Sequence, residues 1–231
     1  MYQLQETILN SDRAKTGIPG LDNLINGGIP RGNLTVVSGT AGSGKTIFCW
    51  QFLHEGITKF NEPGIFISLE EPEYNIMRGA NGFGWDLQKQ VDNGKLAIIS
   101  VELYDFEKLK NVIEDSVFKL NAKRVVIDPG AIFKMFFYDE LESRKKIVSL
   151  GKMLKQLGCT TIITNETTSD GSGTLLGLTE YLADGVIVLH HSTQQKKFTR
   201  DIGIIKMRLT KIVEERKPIE ITQRGLVVKD K

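Results

Sequence analysis

Short apolar runs alternate with longer amphipathic stretches along most of the chain. The apolar runs have the length of β-strands, and most are rich in β-branched residues with turn-forming residues nearby, as buried strands are. They cover residues 34–38, 65–69, 96–100, 124–128, 160–164 and 185–190. The alternation predicts an α/β domain in which a mostly parallel sheet is flanked by helices.

Two of the amphipathic stretches carry signals for where a helix begins and ends. Asp105 stands as an N-cap before apolar residues that recur at helical spacing over 106–120. Asp139 stands three residues before a glutamate, as in a capping box, and an apolar stripe follows over 147–157. Gly158 then offers the left-handed conformation that ends many helices. Both stretches are therefore predicted to be helical.

The end of the chain has a different pattern. Beyond residue 184 the apolar runs follow one another without helical segments, and polar turns are predicted at 192–197 and 214–217. Strands over 201–207, 218–222 and 226–229 would extend the sheet with antiparallel pairs. No linker, internal repeat or low-complexity tract interrupts the sequence, so we expect one domain over residues 1–231.

Composition excludes some classes of protein and names no partner. The chain has 231 residues, a formal net charge of +2 and 40% apolar residues, which is ordinary for a globular domain. The charge is too small to indicate nucleic acid. No stretch approaches the roughly 20 apolar residues of a membrane helix, and the N-terminus has no signal-peptide pattern, so we expect a cytoplasmic protein with no membrane partner.

Cysteine and histidine give no metal site. Cys49 and Cys159 lie inside apolar segments, so we expect free, buried thiols in a reducing compartment. The three histidines, two of them adjacent, lack metal-ligand spacing, because neighbours on a strand point to opposite faces.

The strongest motif follows the first core strand. It fits G-x-x-x-x-G-K-[ST] at every fixed position, through Gly39, Thr40, Ala41, Gly42, Ser43, Gly44, Lys45 and Thr46. An apolar strand leads into it and a helical segment leaves it. The glycines let backbone amides surround a polyphosphate at a helix N-terminus. We expect Lys45 to reach the β/γ oxygens and the Thr46 hydroxyl to bind Mg²⁺.

Carboxylates at two other strand ends are candidates for work beside this loop. Asp128 ends an apolar strand at the edge where open α/β sheets bind ligands, so it is the candidate for holding Mg²⁺. The alternative is an ordinary aspartate that caps a turn with Pro129. Glu70 and Glu71 leave the strand at 65–69 and are candidates for orienting or deprotonating water. The alternative for this pair is a solvated loop.

At this point the sequence resembles a known family, the KaiC-type branch of the RecA-like ATPases. The resemblance rests on residues 16–22 and 27–32 before the phosphate loop, on Glu70–Glu71, and on residues 82–86 and 177–184. It implies a RecA-like phosphate-loop NTPase fold with a C-terminal antiparallel extension, ATP as the nucleotide, and paired catalytic glutamates at Glu70 and Glu71.

The resemblance also assigns a role near the C-terminus. Lys206 and Arg208 match a Lys-x-Arg element whose side chains, in this family, reach the γ-phosphate bound by the neighbouring subunit. Cations supplied across an interface stabilise transition-state charge and couple turnover to assembly. The implied active form is a hexameric ring. From the residues alone, the two side chains are a solvent-facing stripe of an edge strand.

Three positions depart from the family pattern. Pro129 replaces a serine after the strand-ending aspartate, Asn165–Glu166 occupy the γ-phosphate sensor position, and Leu209 follows the Lys-x-Arg element where clock-type domains have glycine. These departures concern turnover and leave nucleotide binding unaffected. The chain has one such domain where the clock protein has two, so neither a circadian nor an autokinase role is expected.

Three functions remain open from the sequence. The first is a Mg²⁺-dependent ATPase ring, and the second is a nucleotide-binding switch that acts on a protein partner with little hydrolysis. The third is a DNA recombination accessory role. The 166–178 segment is composed like a mobile loop but has no basic or aromatic residue to hold single-stranded DNA.

A basic cluster is the better DNA footprint, although a solvated charged surface is the simpler interpretation. Its members are Lys196, Lys197, Arg200, Lys211, Arg216 and Lys217. An aromatic-rich patch at 133–137 is predicted to be core or subunit interface.

Overall fold

The computed structural model describes residues 12–101, 105–129, 139–167, 178–194 and 197–230. The aromatic-rich patch at 133–137, most of the 166–178 segment and Lys196 lie outside the described residues.

A twisted sheet runs through the described part of the chain, with the strand order β11-β10-β9-β8-β3-β7-β6-β4-β5. Its strands are β3 (Leu34–Gly39), β4 (Gly64–Ser68), β5 (Leu96–Ser100), β6 (Arg124–Asp128), β7 (Thr160–Glu166), β8 (Gly185–Gln194), β9 (Lys197–Met207), β10 (Lys217–Thr222) and β11 (Gly225–Val228). Strands β8, β3, β7, β6, β4 and β5 are parallel, and β9 to β11 add antiparallel pairs at one side. A two-stranded ribbon of β1 (Arg13–Ala14) and β2 (Ile29–Pro30) precedes them. The predicted α/β architecture and its C-terminal extension are confirmed.

Helices cover both faces of the sheet. They are α1 (Leu21–Leu24), α2 (Lys45–Phe60), α3 (Glu73–Asn81), α4 (Leu87–Asp92), α5 (Phe106–Leu120), α6 (Glu140–Gln156) and α7 (Leu178–Leu182). The predicted caps form: an Asp105 carboxylate oxygen accepts from the Glu107 amide at 2.9 Å, and Asp139 accepts from the Leu141 amide at 3.1 Å. Gly158 follows α6 with a φ of 73°, the left-handed value expected there.

The turn predicted at 192–197 has bounds that are too wide. The chain does reverse within this range, but β8 continues to Gln194 and β9 begins at Lys197, which pairs with Gln194 in an antiparallel register. The hydroxyls of Ser192 and Thr199 lie 3.0 Å apart across the two strands. Polar side chains of this kind form cross-strand pairs, so polarity alone did not mark the end of the strand.

Two apolar cores lie on the two sides of the sheet. On one side α2 contributes Phe48 and Phe52 to the core. On the other side α5 contributes Leu109 and α6 contributes Leu150. The two cysteines divide between these cores, and both are buried and free, as predicted. Burial raises the pKa of the Cys159 thiol to about 11.

Candidate active site

The loop after β3 is closely fitted to its surroundings. At Gly39 a Cβ atom would lie 2.4 Å from the carbonyl oxygen of Leu189, so a side chain has no room there. Gly44, directly before α2, has a φ of 106°, which side chains rarely tolerate. These two positions explain why the motif needs glycine. The free amides of the first turn of α2 lie beside the loop, as anion sites at helix N-termini require.

A hollow of about 240 Å³ opens beside this loop at the carboxyl edge of the parallel strands. It brings together residues that the sequence analysis had selected separately. Its lining includes Ala41, Gly42, Lys45, Thr46, Glu70, Glu71, Asp128, Pro129 and Glu166. Convergence of strand ends at this edge follows from the parallel topology.

Lys45 is bonded to its own loop. Its ammonium donates to the carbonyl oxygens of Gly39 at 2.9 Å and Thr40 at 3.0 Å. Burial lowers the pKa of Lys45 below its usual value, and the carboxylates of Glu166 and Asp128 partly oppose that shift. The lysine therefore lies in the hollow with acceptors that an anionic phosphate could replace.

Asp128 and Thr46 form the candidate metal pair. The Thr46 hydroxyl donates to one carboxylate oxygen of Asp128 at 2.9 Å, and the Thr164 hydroxyl donates to the other. Hydroxyl and carboxylate oxygens suit Mg²⁺, which takes few protein ligands in nucleotide sites and completes its shell with water and phosphate. Across the described ranges, no group of three or more His, Cys, Asp or Glu could hold a metal. The donors that are present fit magnesium in a nucleotide site.

The glutamate pair is fixed through its backbone by residues that the sequence analysis missed. The Ser68 hydroxyl donates to the Glu71 carbonyl oxygen at 2.6 Å and accepts from the Glu71 amide at 3.0 Å. The Ser100 hydroxyl adds a longer bond, of 3.3 Å, to the same carbonyl oxygen. Both serines end parallel strands, so Glu70 and Glu71 follow directly from a fixed sheet edge into the hollow.

The two residues of the sensor position face different ways. Glu166 lines the hollow, whereas Asn165 is buried and donates from Nδ2 to Glu180. Glu180, on α7, is also buried and accepts from the Ser38 hydroxyl. Sequence spacing gave no sign of this contact, because it joins positions 142 residues apart.

Lys206 and Arg208 lie away from the hollow of their own chain. In the sheet register Lys206 pairs with Val186, which pairs with Val36 near the amino end of β3. The loop begins at Gly39, about 10 Å further along that strand. The two cations are thus displaced toward the amino edge of the sheet, whereas the hollow lies at the carboxyl edge.

Each of these two cations is held by its own chain. The Lys206 ammonium donates to the carbonyl oxygens of Glu180 and Tyr181, and Arg208 pairs with Asp184 at 3.4 Å. Burial lowers the pKa of Lys206, and the nearby charge of Arg208 adds to that effect.

A second hollow, of about 220 Å³, lies on the other side of the loop. Its lining includes Gly44, Thr46, Ile47 and Ile221, so an apolar surface from β10 faces the start of α2. The sequence analysis did not select Ile221, because only folding brings β10 to the loop.

The basic cluster does not form one free patch. Arg200 donates to the carbonyl oxygen of Gly42 at 3.3 Å, and Lys217 pairs with Glu215 at 2.6 Å. Two members of the cluster are thus bonded locally within their own chain.

Known proteins with similar sequences agree with a nucleotide-binding site in this fold. A family profile described as "ATPase: KaiC" matches residues 14–231. The chain belongs to this family. Membership implies nucleotide binding. Similarity to a crystal structure of a KaiC-like protein from Pyrococcus horikoshii reaches a TM-score of 0.85 at 36% identity, over 94% of this chain and 98% of that one.

Two further relatives differ in length. The chain is 38% identical to the circadian clock oscillator protein KaiC of Parathermosynechococcus lividus, over 93% of this chain and 42% of that protein. It thus spans less than half the length of the clock protein. It is 33% identical to a UPF0273 protein of Methanocaldococcus jannaschii, over 94% of this chain and 96% of that protein. Among the described residues, no helix is long and apolar enough to cross a membrane.

Proposed function

We propose that this KaiC-family chain is a Mg²⁺-dependent ATPase that works as a self-assembled ring with nucleotide between subunits. The observation that carries the proposal is the 240 Å³ hollow, in which Lys45, Thr46, Asp128, Glu70 and Glu71 converge. A phosphate-binding loop, a metal-binding pair and a candidate base in one place are the parts that phosphoryl transfer to water requires.

Binding begins with the loop. Backbone amides at residues 39–46 and the N-terminus of α2 receive the phosphate oxygens, and Lys45 exchanges the carbonyl oxygens of Gly39 and Thr40 for them. Ile47 and Ile221 offer an apolar surface for the base in the second hollow.

Thr46 and Asp128 would hold Mg²⁺, which neutralises charge on the transferring phosphoryl group. Their direct 2.9 Å hydrogen bond keeps the two oxygens adjacent, and the Thr164 hydroxyl fixes the other side of the carboxylate. The pair is therefore held in position before the nucleotide arrives.

Glu70 and Glu71 supply the acid–base step. A glutamate of this pair orients a water molecule toward the γ-phosphate and accepts its proton as the new P–O bond forms. The bond from the γ-phosphorus to the oxygen that bridges it to the β-phosphate breaks, and ADP leaves with that oxygen. The bonds from Ser68 and Ser100 to the backbone of Glu71 limit how far the pair can move.

Lys206 and Arg208 act on a second copy of the chain. Because they lie toward the amino edge of the sheet, they do not serve the hollow of their own subunit. Beside them Tyr181 is 70% exposed and Leu209 is 73% exposed, which suits a surface covered by another subunit. A neighbouring subunit that packs here would receive both cations at its phosphate loop.

The second candidate is a nucleotide-binding switch with little hydrolysis. Pro129 favours it, because this residue lines the hollow at a place where it offers neither a hydroxyl nor an amide hydrogen. The switch would bind nucleotide at the same loop and change its assembly without turnover.

One experiment separates the two candidates. Phosphate release and solution mass are measured with ATP, with and without Mg²⁺, for the unmodified chain and for Glu70→Gln/Glu71→Gln. We expect the double variant to lose at least about 100-fold in kcat while it retains nucleotide affinity. Glu73→Gln is the matched control, because Glu73 lies in the first turn of α3 and is exposed.

The outcomes are distinct. Full activity in the double variant would remove the assignment of Glu70 and Glu71. Nucleotide-dependent mass change without phosphate release in the unmodified chain would select the switch.

A further inference from the structure

Glu180 joins helix α7 to the two strands that lead into the active-site hollow. Its side chain is 1% exposed, and Oε1 accepts from the Ser38 hydroxyl at 2.7 Å and from Asn165 Nδ2 at 2.5 Å. Ser38 immediately precedes Gly39 of the phosphate loop, and Asn165 immediately precedes Glu166. The carboxylate therefore fixes α7 relative to the phosphate loop of its own subunit.

The main chain of α7 in turn holds Lys206. The ammonium donates to the carbonyl oxygens of Glu180 at 3.2 Å and Tyr181 at 3.1 Å. The last four carbonyls of a helix have no partner within it, and α7 has only five residues, so a cation at these oxygens satisfies groups that the helix leaves free. A displacement of α7 would consequently displace the charge of Lys206.

A carboxylate is a costly means of anchoring a short helix if anchoring is all that is needed. Burial of a charged group carries a desolvation penalty, and a set of apolar side chains that packs in place of the whole buried polar group is often no less stable. What the carboxylate adds is direction, because its hydrogen bonds to Ser38 and Asn165 define the position of α7 along the strands as well as its distance from them.

We propose that Glu180 is a positioning residue for Lys206, the cation that a subunit offers to its neighbour. Glu180 holds this cation in place relative to the phosphate loop of the subunit that supplies it. This inference rests on the proposed function, in which Lys206 acts across the interface. It goes further by naming the route, from Ser38 and Asn165 through Glu180 and the carbonyls of α7, that links one nucleotide site to the next.

Mixed assemblies test the proposal because they separate the two sides of an interface. A donor variant, Glu70→Gln/Glu71→Gln, lacks the base but retains Lys206. An acceptor variant, Lys206→Ala, keeps the base but gives no cation. Each alone is inactive under the proposed function, and mixing them restores turnover wherever an acceptor site meets the Lys206 of a donor.

Glu180→Met is then introduced into one component at a time. In the donor it should lower the restored kcat about fivefold or more, since the variant loses the bonds from both Ser38 and Asn165 and each is worth up to about a factor of five. KM for ATP should be unchanged. In the acceptor, whose Lys206 is already absent, it should leave the restored rate within about twofold, since no cation remains to be positioned. A role confined to folding would lower both mixtures equally.

Glu180→Gln is the conservative control, because it keeps an acceptor oxygen at the same place. In the donor it should retain most of the restored rate. If Glu180→Met does not assemble, as judged by solution mass, Ser38→Ala in the donor removes the bond from Ser38 and leaves the bond from Asn165. It should give a smaller loss with the same asymmetry.

Failure of the inference and failure of the proposed function give different results. Equal losses in donor and acceptor mixtures, or no loss in either, would overturn the role of Glu180 while the transfer of Lys206 across the interface stands. No restored activity in the unmodified mixture would remove the role of Lys206 itself, and this proposal with it.

Discussion

The two edges of the parallel sheet each hold a cluster of charges, and the clusters differ in what surrounds them. At the carboxyl edge, Lys45, Asp128 and Glu166 face an open hollow of about 240 Å³. At the amino edge, Arg124 has no exposed surface and its guanidinium is bonded to Glu62 at 2.7 Å. The cluster at the carboxyl edge faces space that a ligand can fill, whereas the space around Arg124 is occupied by the protein itself.

Arg124 shows what a structural charge looks like in this fold. It donates to the carbonyl oxygens of Lys15 and Phe52, both at 2.7 Å, and its guanidinium carbon lies 4.5 Å from the centre of the Phe52 ring. Glu62 also pairs with Arg31, which follows β2. The amino-edge cluster thus ties the N-terminal segment to the core.

The comparison also shows which signal identifies a working charge. Burial lowers the pKa of both Lys45 and Arg124, so a lowered pKa does not distinguish the two sites. What distinguishes the two sites is the open volume beside Lys45, whereas Arg124 is fully buried. Changes around the hollow at the carboxyl edge should therefore alter ligand binding, whereas changes to the buried contacts of Arg124 should alter stability alone.

The largest expected effect is at Lys45. Lys45→Ala should weaken ATP and ADP binding by about 100-fold or more, because it removes a charge-assisted contact to phosphate from a partly desolvated site. Calorimetric titration measures the affinity, and thermal unfolding should show a stability close to that of the unmodified chain.

Lys59→Ala is the matched control for that substitution. Lys59 lies on the same helix, in its last turn, with a side chain that is 67% exposed and paired with Glu55. It should leave affinity unchanged. Equal weakening by both substitutions would mean that the hollow is not the nucleotide site.

A smaller effect, in stability alone, is expected at the amino edge. In Gly56→Ala the new Cβ would lie 2.2 Å from Arg124 Nε, and the guanidinium cannot retreat because Glu62 and two carbonyls hold it. Overpacking should lower the free energy of unfolding by about 1–3 kcal/mol, measured in denaturant. Gly151→Ala is the control, since its Cβ would make an ordinary 3.8 Å contact with Leu34.

If Gly56→Ala weakened nucleotide binding by as large a free energy as it weakens folding, the contacts of Arg124 would not be purely structural. Gly151→Ala should be neutral, or more stable by up to about 1 kcal/mol, because alanine is the better helix former. Any loss of stability there would show that Gly56 owes its sensitivity to its place in a helix and not to Arg124.

The sequence predicted what lies close together along the chain. Residues 39–46 form one contiguous motif with a strand before it and a helix after it, and the caps at Asp105 and Asp139 are local contacts, so each could be read from spacing. The order of elements also sufficed for the parallel sheet.

Contacts between distant segments could not be predicted in this way. Glu180 with Ser38 depends on which helix packs over which strand end, and Arg124 with Glu62 depends on the pairing of β4 with β6. Nothing in the spacing of these residues marks either contact. Lys206 was selected through family resemblance, and only the register of β8 and β9 shows that it lies away from the hollow of its own chain. The polar run at 192–197 marked the reversal between β8 and β9 but not the ends of the two strands, because polarity does not end a strand that has a partner.

The smallest expected effect is a pH dependence of nucleotide affinity that arises from Lys45 at the carboxyl edge. Burial places the pKa of Lys45 below its usual 10.5, so the lysine loses its charge earlier than an exposed lysine as pH rises. Phosphate binding needs the charged form, and nucleotide affinity should therefore fall as the pH rises toward 10.5, at lower pH than an exposed lysine would allow. The unfolded chain holds more protons than the folded chain in this window, so the contribution of Lys45 to the free energy of unfolding rises instead.

Affinity and the contribution of Lys45 to stability thus move in opposite directions with pH, which separates titration of this lysine from general alkaline unfolding. Lys45→Arg is the control, because a guanidinium keeps its charge throughout the window and its affinity, although lower at the start, should stay flat. ADP titrations at several pH values measure how affinity changes with pH in the unmodified chain and in Lys45→Arg. Parallel slopes in the two proteins would mean that another group titrates, and that the charge of Lys45 is not what distinguishes the carboxyl edge from the amino edge.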